Sequence, residues 1–91
     1  MSEQEVFNAL KYRVEVDEDG ARRYYNTNDE LHRTDGPAVE WAVGEQRRYQ
    51  NGQLHRTDGP AAEWAGGLKC WYINGKHLSE DEFNQRVKDY E

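Results

Sequence analysis

Two copies of one stretch decide the fold: LHRTDGPAVEWAVG from Leu31 to Gly44, and LHRTDGPAAEWAGG from Leu54 to Gly67. Of the 14 aligned positions only two differ, and the copies begin 23 residues apart. A fixed period of this size is typical of repeat proteins, in which each small unit buries its apolar face against its neighbours. The copying argues against an enzyme, because an active site needs one set of residues in one place.

The similarity extends beyond the copied stretch. The segment 46–54 aligns forward by 23 residues with 69–77, and it also aligns backward with the segment that starts at Ala21 and reaches Leu31. We therefore predict a single repeat domain over residues 1–91. Its parts are an N-terminal hairpin at about 12–30, repeat units at about 31–53 and 54–76, and a helix at about 80–90.

The units carry the signals of β-hairpins. Val39-Glu40-Trp41-Ala42 alternates apolar with polar or small residues, which indicates a strand with one buried face. The segments 46–50 and 68–73 are the predicted returning strands. Asn51-Gly52 and Asn74-Gly75 predict type I′ turns, since both central residues of that turn need positive φ. The predicted fold is mainly β, with stacked antiparallel hairpins that form a curved sheet.

The two ends of the chain differ from the repeats. Residues 12–16 alternate and predict a strand, which pairs across the polar turn 17–20 with a strand at 21–26. Residues 2–10 fit either a short helical turn or a disordered start. At the other end Ser79 and Glu82 form a capping box. The apolar spacing of Phe83, Val87 and Tyr90 then predicts a helix that caps the last hairpin.

The predicted core is thin and aromatic. Apolar residues are 35% of the chain and charged residues 33%, while three Trp, six Tyr and two Phe supply large rings. Strands ~4.8 Å apart place equivalent residues of successive units ~10 Å apart. We expect Trp41 and Trp64 to lie in the core, with Tyr49 and Tyr72 filling the gaps between them. The alternative is an exposed aromatic binding stripe.

The net charge and the cysteine content make several classes of partner and compartment unfavourable. The net charge of −6 and the pI near 5.0 do not favour direct binding to nucleic acid or to an anionic membrane. The single cysteine, Cys70, fits a reducing compartment. No signal peptide and no membrane span are expected, because neither an apolar leader segment nor a run of about 18 apolar residues is present. We expect a cytoplasmic protein without a cofactor.

The copied corner contains His32-Arg33-Thr34-Asp35 and its equivalent His55-Arg56-Thr57-Asp58. Two histidines ~10 Å apart cannot share one metal ion at ~2.0–2.1 Å, so no metal site is expected. The favoured interpretation is a structural lock, in which Asp35 and Asp58 accept backbone N–H bonds, each arginine pairs with a carboxylate and each histidine donates to a carbonyl. The alternative is a ligand site in which His32, Arg33, His55 and Arg56 bind phosphate groups.

Acidic residues offer a second candidate surface. We predict that a protein partner with a basic surface binds five outward carboxylates: Glu40, Glu63, Glu80, Asp81 and Glu82. A cross-strand pair between Glu40 or Glu63 and the Arg22-Arg23 or Arg47-Arg48 pairs is the structural alternative. An acidic mimic of DNA is a further alternative.

The corner motif also carries a family resemblance. The sequence resembles a repeat family of bacteria and bacteriophages with units of the form tyrosine, asparagine-glycine-lysine, leucine-histidine-arginine and aspartate-glycine-proline-alanine. It is similar to MORN repeats in its period, its tyrosine and its glycine turns, and differs from them in the His-Arg-Thr-Asp-Gly-Pro-Ala corner. Trp71-Tyr72-Ile73-Asn74-Gly75-Lys76 with the following helix looks like the terminal unit of such arrays.

The resemblance covers residues 12–90 or so and implies a small scaffold, often phage-borne, with no catalytic residues to transfer. By analogy with small acidic phage proteins, it implies an inhibitor of a bacterial host or defence protein, comparable to an anti-CRISPR protein, in the host cytoplasm. The first hypothesis is thus a non-enzymatic protein-binding module. The alternative is a module that binds a phosphate or nucleotide ligand.

Overall fold

The structure is a computed structural model that describes residues 12–88. These residues form nine strands and one helix: β1 (Arg13–Val16), β2 (Arg22–Tyr25), β3 (Val39–Glu40), β4 (Gln46–Arg47), β5 (Tyr49–Gln50), β6 (Gln53–Leu54), β7 (Ala62–Glu63), β8 (Lys69–Ile73), β9 (Lys76–Leu78) and α1 (Glu80–Lys88). Seven strands form an antiparallel sheet in the order β1-β2-β3-β4-β7-β8-β9, and β5 pairs with β6 in a separate two-stranded sheet. The predicted mainly-β fold with one C-terminal helix is confirmed.

The N-terminal hairpin forms where the alternation predicted it. β1 and β2 pair antiparallel from Arg13 opposite Tyr25 to Val16 opposite Arg22. Asp17 closes the turn, because its carboxylate accepts hydrogen bonds from the backbone N–H groups of Asp19 and Ala21, both at 3.0 Å. The undecided segment 2–10 lies outside the described residues.

The two Asn-Gly turns are type I′, as predicted. Asn51 and Gly52 have φ of 51° and 82°, and Asn74 and Gly75 have φ of 50° and 83°. Both residues of each turn are therefore left-handed, which is the twist that joins two strands through a two-residue loop. The turns connect β5 to β6 and β8 to β9.

The prediction of one continuous strand over residues 46–50 is wrong. β4 ends at Arg47 and β5 begins at Tyr49, whereas the equivalent β8 runs unbroken from Lys69 to Ile73. In the last hairpin the pairing extends to Trp71 opposite Leu78, an apolar pair beside the helix. The corresponding residues of the preceding hairpin are Arg48 and His55, whose polar side chains line a groove instead. Here the regular ladder is limited to Tyr49 opposite Leu54 and Gln50 opposite Gln53, although His55 N–H still donates to the Arg48 carbonyl at 3.0 Å.

The buried side chains form two groups. Small residues lie beneath the sheet, with Ala21, Ala38, Ala61 and Ala62 all nearly inaccessible. A larger cluster joins the last hairpin to α1, and its members are Ile73, Leu78 and Phe83, with Trp71 and Val87 packed against them. Burying such a side chain stabilises the fold by roughly 1.5–3 kcal/mol, so this cluster fixes the helix on the sheet.

The helix begins as its sequence predicts. Ser79 N–H donates to Glu82 Oε1 at 3.0 Å, and Glu82 N–H donates to Ser79 Oγ at 3.1 Å, which are the two bonds of a capping box. α1 is described as far as Lys88, and the predicted contact of Tyr90 lies outside the described residues. Within the described part of the chain, no helix has the length and apolar character needed to cross a bilayer.

Trp41 and Trp64 are half-buried, so the prediction that both indoles lie in the core is wrong. The buried positions nearby belong to Val39 and Ala62. The gap between the indoles is filled by Arg47, whose guanidinium carbon lies 4.7 Å from the Trp41 ring centroid and 5.3 Å from that of Trp64. Tyr49 and Tyr72 are half-buried, and the Tyr72 ring packs against His77 with the ring centroids 5.1 Å apart.

Candidate functional site

The copied corner is held by its arginine. Arg33 donates from Nε to Asp35 Oδ1 at 2.9 Å, and from Nη1 to the Pro37 carbonyl at 3.2 Å and to Glu40 Oε1 at 2.8 Å. Gly36 allows this arrangement, since a Cβ built there would lie 2.9 Å from the Arg33 guanidinium carbon. The predicted pairing of each arginine with a carboxylate is therefore confirmed for Arg33.

The second corner repeats most of these bonds. Arg56 donates from Nε to Asp58 Oδ1 at 2.6 Å and from Nη1 to the Pro60 carbonyl at 3.1 Å. A Cβ at Gly59 would likewise lie 2.9 Å from the Arg56 guanidinium carbon. The hydrogen bond to the strand glutamate is not repeated here, because Arg56 Nη1 and Glu63 Oε1 are 4.0 Å apart, an ion-pair distance.

The two histidines accept hydrogen bonds rather than donating them to carbonyls, which corrects the sequence prediction. His32 Nδ1 accepts from Asn51 N–H, and His55 Nδ1 accepts from Asn74 N–H, both at 2.9 Å. Burial lowers the pKa of His55, so at neutral pH its ring is uncharged. With Nδ1 as the acceptor, the proton of the neutral His55 ring is on Nε2.

A polar groove of about 210 Å³ lies between the two corners. It collects three of the four residues that the ligand-site alternative named, namely Arg33, His55 and Arg56. His32 does not line it and packs beside Tyr12, with the ring centroids 6.1 Å apart. The remaining lining residues are Thr34, Arg48, Gln50, Thr57 and Asp58.

Arg48 is the residue of the groove that the sequence prediction missed as a site residue. Its side chain is half-buried and makes no hydrogen bond or ion pair with any residue from 12 to 88. Burial lowers the pKa of its guanidinium, and the positive charge of Arg56 lowers it further. The residue at the corresponding place in β2 is Tyr24, over which Arg33 stacks at 4.1 Å.

Donor groups remain available on the other two arginines. The hydrogen bonds of Arg33 and Arg56 within residues 12–88 use Nε and Nη1, which leaves Nη2 of each without such a bond. Asp58 lines the groove, but its carboxylate already accepts from Arg56, which lowers its pKa and keeps it ionised. The groove therefore combines three guanidinium groups with one carboxylate on its lining.

The predicted acidic surface is not brought together. Glu40 is half-buried and accepts from Arg33, and half-buried Glu63 lies near Arg56. These two carboxylates are therefore not free outward groups, and their partners are the corner arginines rather than the strand pairs that the sequence suggested. Glu80 and Asp81 are exposed in the first turn of α1, while exposed Glu82 forms half of the capping box.

Residues 12–88 contain no cluster of three or more His, Cys, Asp or Glu side chains that could hold a metal ion. Cys70 is a half-buried free thiol on β8.

No protein-family model matches the chain, no curated protein matches it, and no solved structure matches it. The resemblance to MORN-like repeats stays a prediction from the motif residues.

Proposed function

We propose that this chain is a non-enzymatic binding module that holds an oxyanion, such as the phosphate group of a ligand, in the groove between the two corners. The observation that carries the proposal is Arg48. Its half-buried guanidinium lies in the groove beside Arg33 and Arg56 and has no carboxylate partner among residues 12–88. A buried or partly buried charge normally has a partner, so a bound anion would complete this site.

The donors suit an oxyanion. A guanidinium binds carboxylate or phosphate oxygens through two parallel N–H groups, and charge-assisted bonds of this kind are about twice as strong as neutral ones. Arg48 offers its whole guanidinium, and Arg33 and Arg56 each offer Nη2. His55 adds a neutral ring with its proton on Nε2.

The groove favours a compact anion over a long polyanion. Its lining contains no Phe, Tyr or Trp side chain on which a nucleobase would stack. The chain as a whole carries a charge of −6, which repels an extended nucleic acid. The attraction of the three arginines for an anion is strong only within the groove. A small ligand can bind there without approaching the acidic turns and the acidic first turn of the helix.

The competing hypothesis is a protein-binding inhibitor that presents an acidic surface. Exposed Glu80 and Asp81 favour it, whereas Glu40 and Glu82 accept hydrogen bonds within the chain and Glu63 lies 4.0 Å from Arg56. A charge reversal at Glu80 and Asp81 that leaves Glu82 in place tests this surface without removing the helix cap, once a partner is in hand. Loss of partner binding in that variant, with phosphate binding absent in the wild type, would favour the inhibitor.

The test is a calorimetric titration of the purified chain with inorganic phosphate and with pyrophosphate at pH 7 and low salt. We expect saturable binding that Arg48→Gln weakens about tenfold or more, because the variant loses a charge-assisted contact. Arg22→Gln is the matched control, since Arg22 is exposed on β2 and does not line the groove. Absence of saturable binding, or equal loss in both variants, would overturn the proposal.

A further inference from the structure

The first copy of the corner shows how its threonine is used. The Tyr12 hydroxyl accepts a hydrogen bond from Thr34 N–H at 2.9 Å and shares a second with Thr34 Oγ1 at 2.7 Å. Tyr12 is 9% exposed, and its ring meets that of Tyr24 edge to face at 6.1 Å. A phenol oxygen therefore satisfies both polar groups of Thr34.

The second copy has the same threonine without that oxygen. Tyr24 corresponds to Arg48 with a shift of 24 residues, and the same shift takes Tyr12 to Gly36, which has no side chain. Neither the backbone N–H nor the hydroxyl of Thr57 makes a hydrogen bond within residues 12–88. Thr57 instead lines the groove together with Arg48.

We propose that an oxygen of a tetrahedral phosphate group binds Thr57 as the Tyr12 hydroxyl binds Thr34. This inference rests on the proposed function and adds the position and the class of the ligand. The oxygen accepts from Thr57 N–H and Oγ1, and the other phosphate oxygens accept from Arg48 and from Nη2 of Arg33 or Arg56. The ligand class is inorganic phosphate or a phosphate monoester.

The change of neighbours explains why the second copy takes an anion. In the first copy the threonine meets a neutral phenol, and the aromatic ring of Tyr24 lies beside it. In the second copy the position of that ring belongs to the cationic Arg48. The two oxygens of a carboxylate lie in one plane, whereas the three terminal oxygens of a phosphate monoester point in different directions. The tetrahedral group can therefore accept from Thr57 with one oxygen and from the guanidinium groups with the others.

The experiment is an amide NMR titration of ¹⁵N-labelled chain with inorganic phosphate, with acetate as the carboxylate probe. We expect the Thr57 amide to be among the most strongly shifted, and acetate to bind at least about tenfold more weakly than phosphate, a difference of about 1.4 kcal/mol. Thr57→Val keeps the side-chain shape and should weaken phosphate binding about three- to tenfold. Thr27→Val, in the exposed turn after β2, is the control and should bind as the wild type does.

The outcomes separate this inference from the proposed function. If phosphate binds through Arg48 but the Thr57 amide does not move and Thr57→Val binds normally, the inference is wrong and the oxyanion site stands. Equal affinity for acetate and phosphate would overturn the ligand class alone. If phosphate does not bind the wild-type chain, both proposals fail. The wild-type amide shifts answer the question even if the valine variant does not fold.

Discussion

Removal of the Arg47 guanidinium should destabilise the sheet, because this one group joins the two copied tryptophans. It lies 4.7 Å from the Trp41 ring and 5.3 Å from the Trp64 ring, within the range of a cation–π contact on each side. Its side chain is 28% exposed, so both contacts are partly shielded from water. Trp41 and Trp64 directly follow β3 and β7, the two strands that flank β4 in the sheet.

The expected magnitude follows from the two contacts. Each cation–π contact is assigned ~0.5–1 kcal/mol, the lower value that applies at exposed sites, so the two contribute about 1–2 kcal/mol to the free energy of unfolding. In a domain of this size each kcal/mol shifts Tm by roughly 4–8 °C, which gives a fall of about 4–16 °C. Arg47→Met is the informative variant, because it keeps an apolar stem between the indoles and removes the charge.

The assay is urea unfolding followed by tryptophan fluorescence, with Tm from circular dichroism. Arg22→Met on the exposed face of β2 is the matched control and should change stability by less than about 0.5 kcal/mol. If Arg47→Met is as stable as the control while Arg47→Ala is not, the side chain stabilises only through the packing of its apolar stem, and the cation–π argument is refuted. If neither Arg47 variant loses stability, the residue does not join the strands energetically.

Three further outcomes follow from the fold. Leu78→Ala should lower the free energy of unfolding by about 2–5 kcal/mol, measured by urea titration, because Leu78 is 2% exposed between the last hairpin and α1. Gly75→Ala should cost about 1–2 kcal/mol in the same assay, since its φ of 83° is unfavourable for alanine and its space is otherwise open enough; an unchanged midpoint would contradict the turn geometry. Hydrogen bonds from Arg33 and Arg56 lower the pKa values of Asp35 and Asp58. The stability that these pairs give is therefore present above the unfolded pKa of about 3.9 and is lost as pH falls through the lowered folded values, so Tm should fall below about pH 4, and less steeply in Asp58→Asn.

Local patterns predicted most of the fold. Alternation located β1 and β2, the Asn-Gly pairs located two turns, and Ser79 with Glu82 located the start of α1, because each depends on residues close together in sequence. The break at Arg48 and the partial burial of the tryptophans depend on neighbours from other strands. The alternation of apolar and polar residues predicts which side chains share a face of the sheet. It does not predict which other residues pack against that face.

The candidate site was predicted in part. Arg33, His55 and Arg56 were named for the ligand-site alternative, since the repeat places them at equivalent corners. Arg48 was missed because an Arg-Arg pair on a strand indicates only one outward and one inward side chain. An alignment of the three equivalent residues Tyr24, Arg48 and Trp71 would have identified Arg48 as a candidate site residue. Only in the middle unit does a charged side chain replace an aromatic ring.

The pairing of Tyr12 with Thr34 has a consequence for how duplicated segments diverge. Two segments of nearly identical sequence can make different contacts when the residues that surround them differ. Thr34 is hydrogen-bonded to Tyr12 within the chain, whereas Thr57 lines the groove next to Arg48. The same residue type can therefore stabilise the fold in one copy and be available to bind a ligand in the other. The sequence identity between the two copies does not reveal this difference.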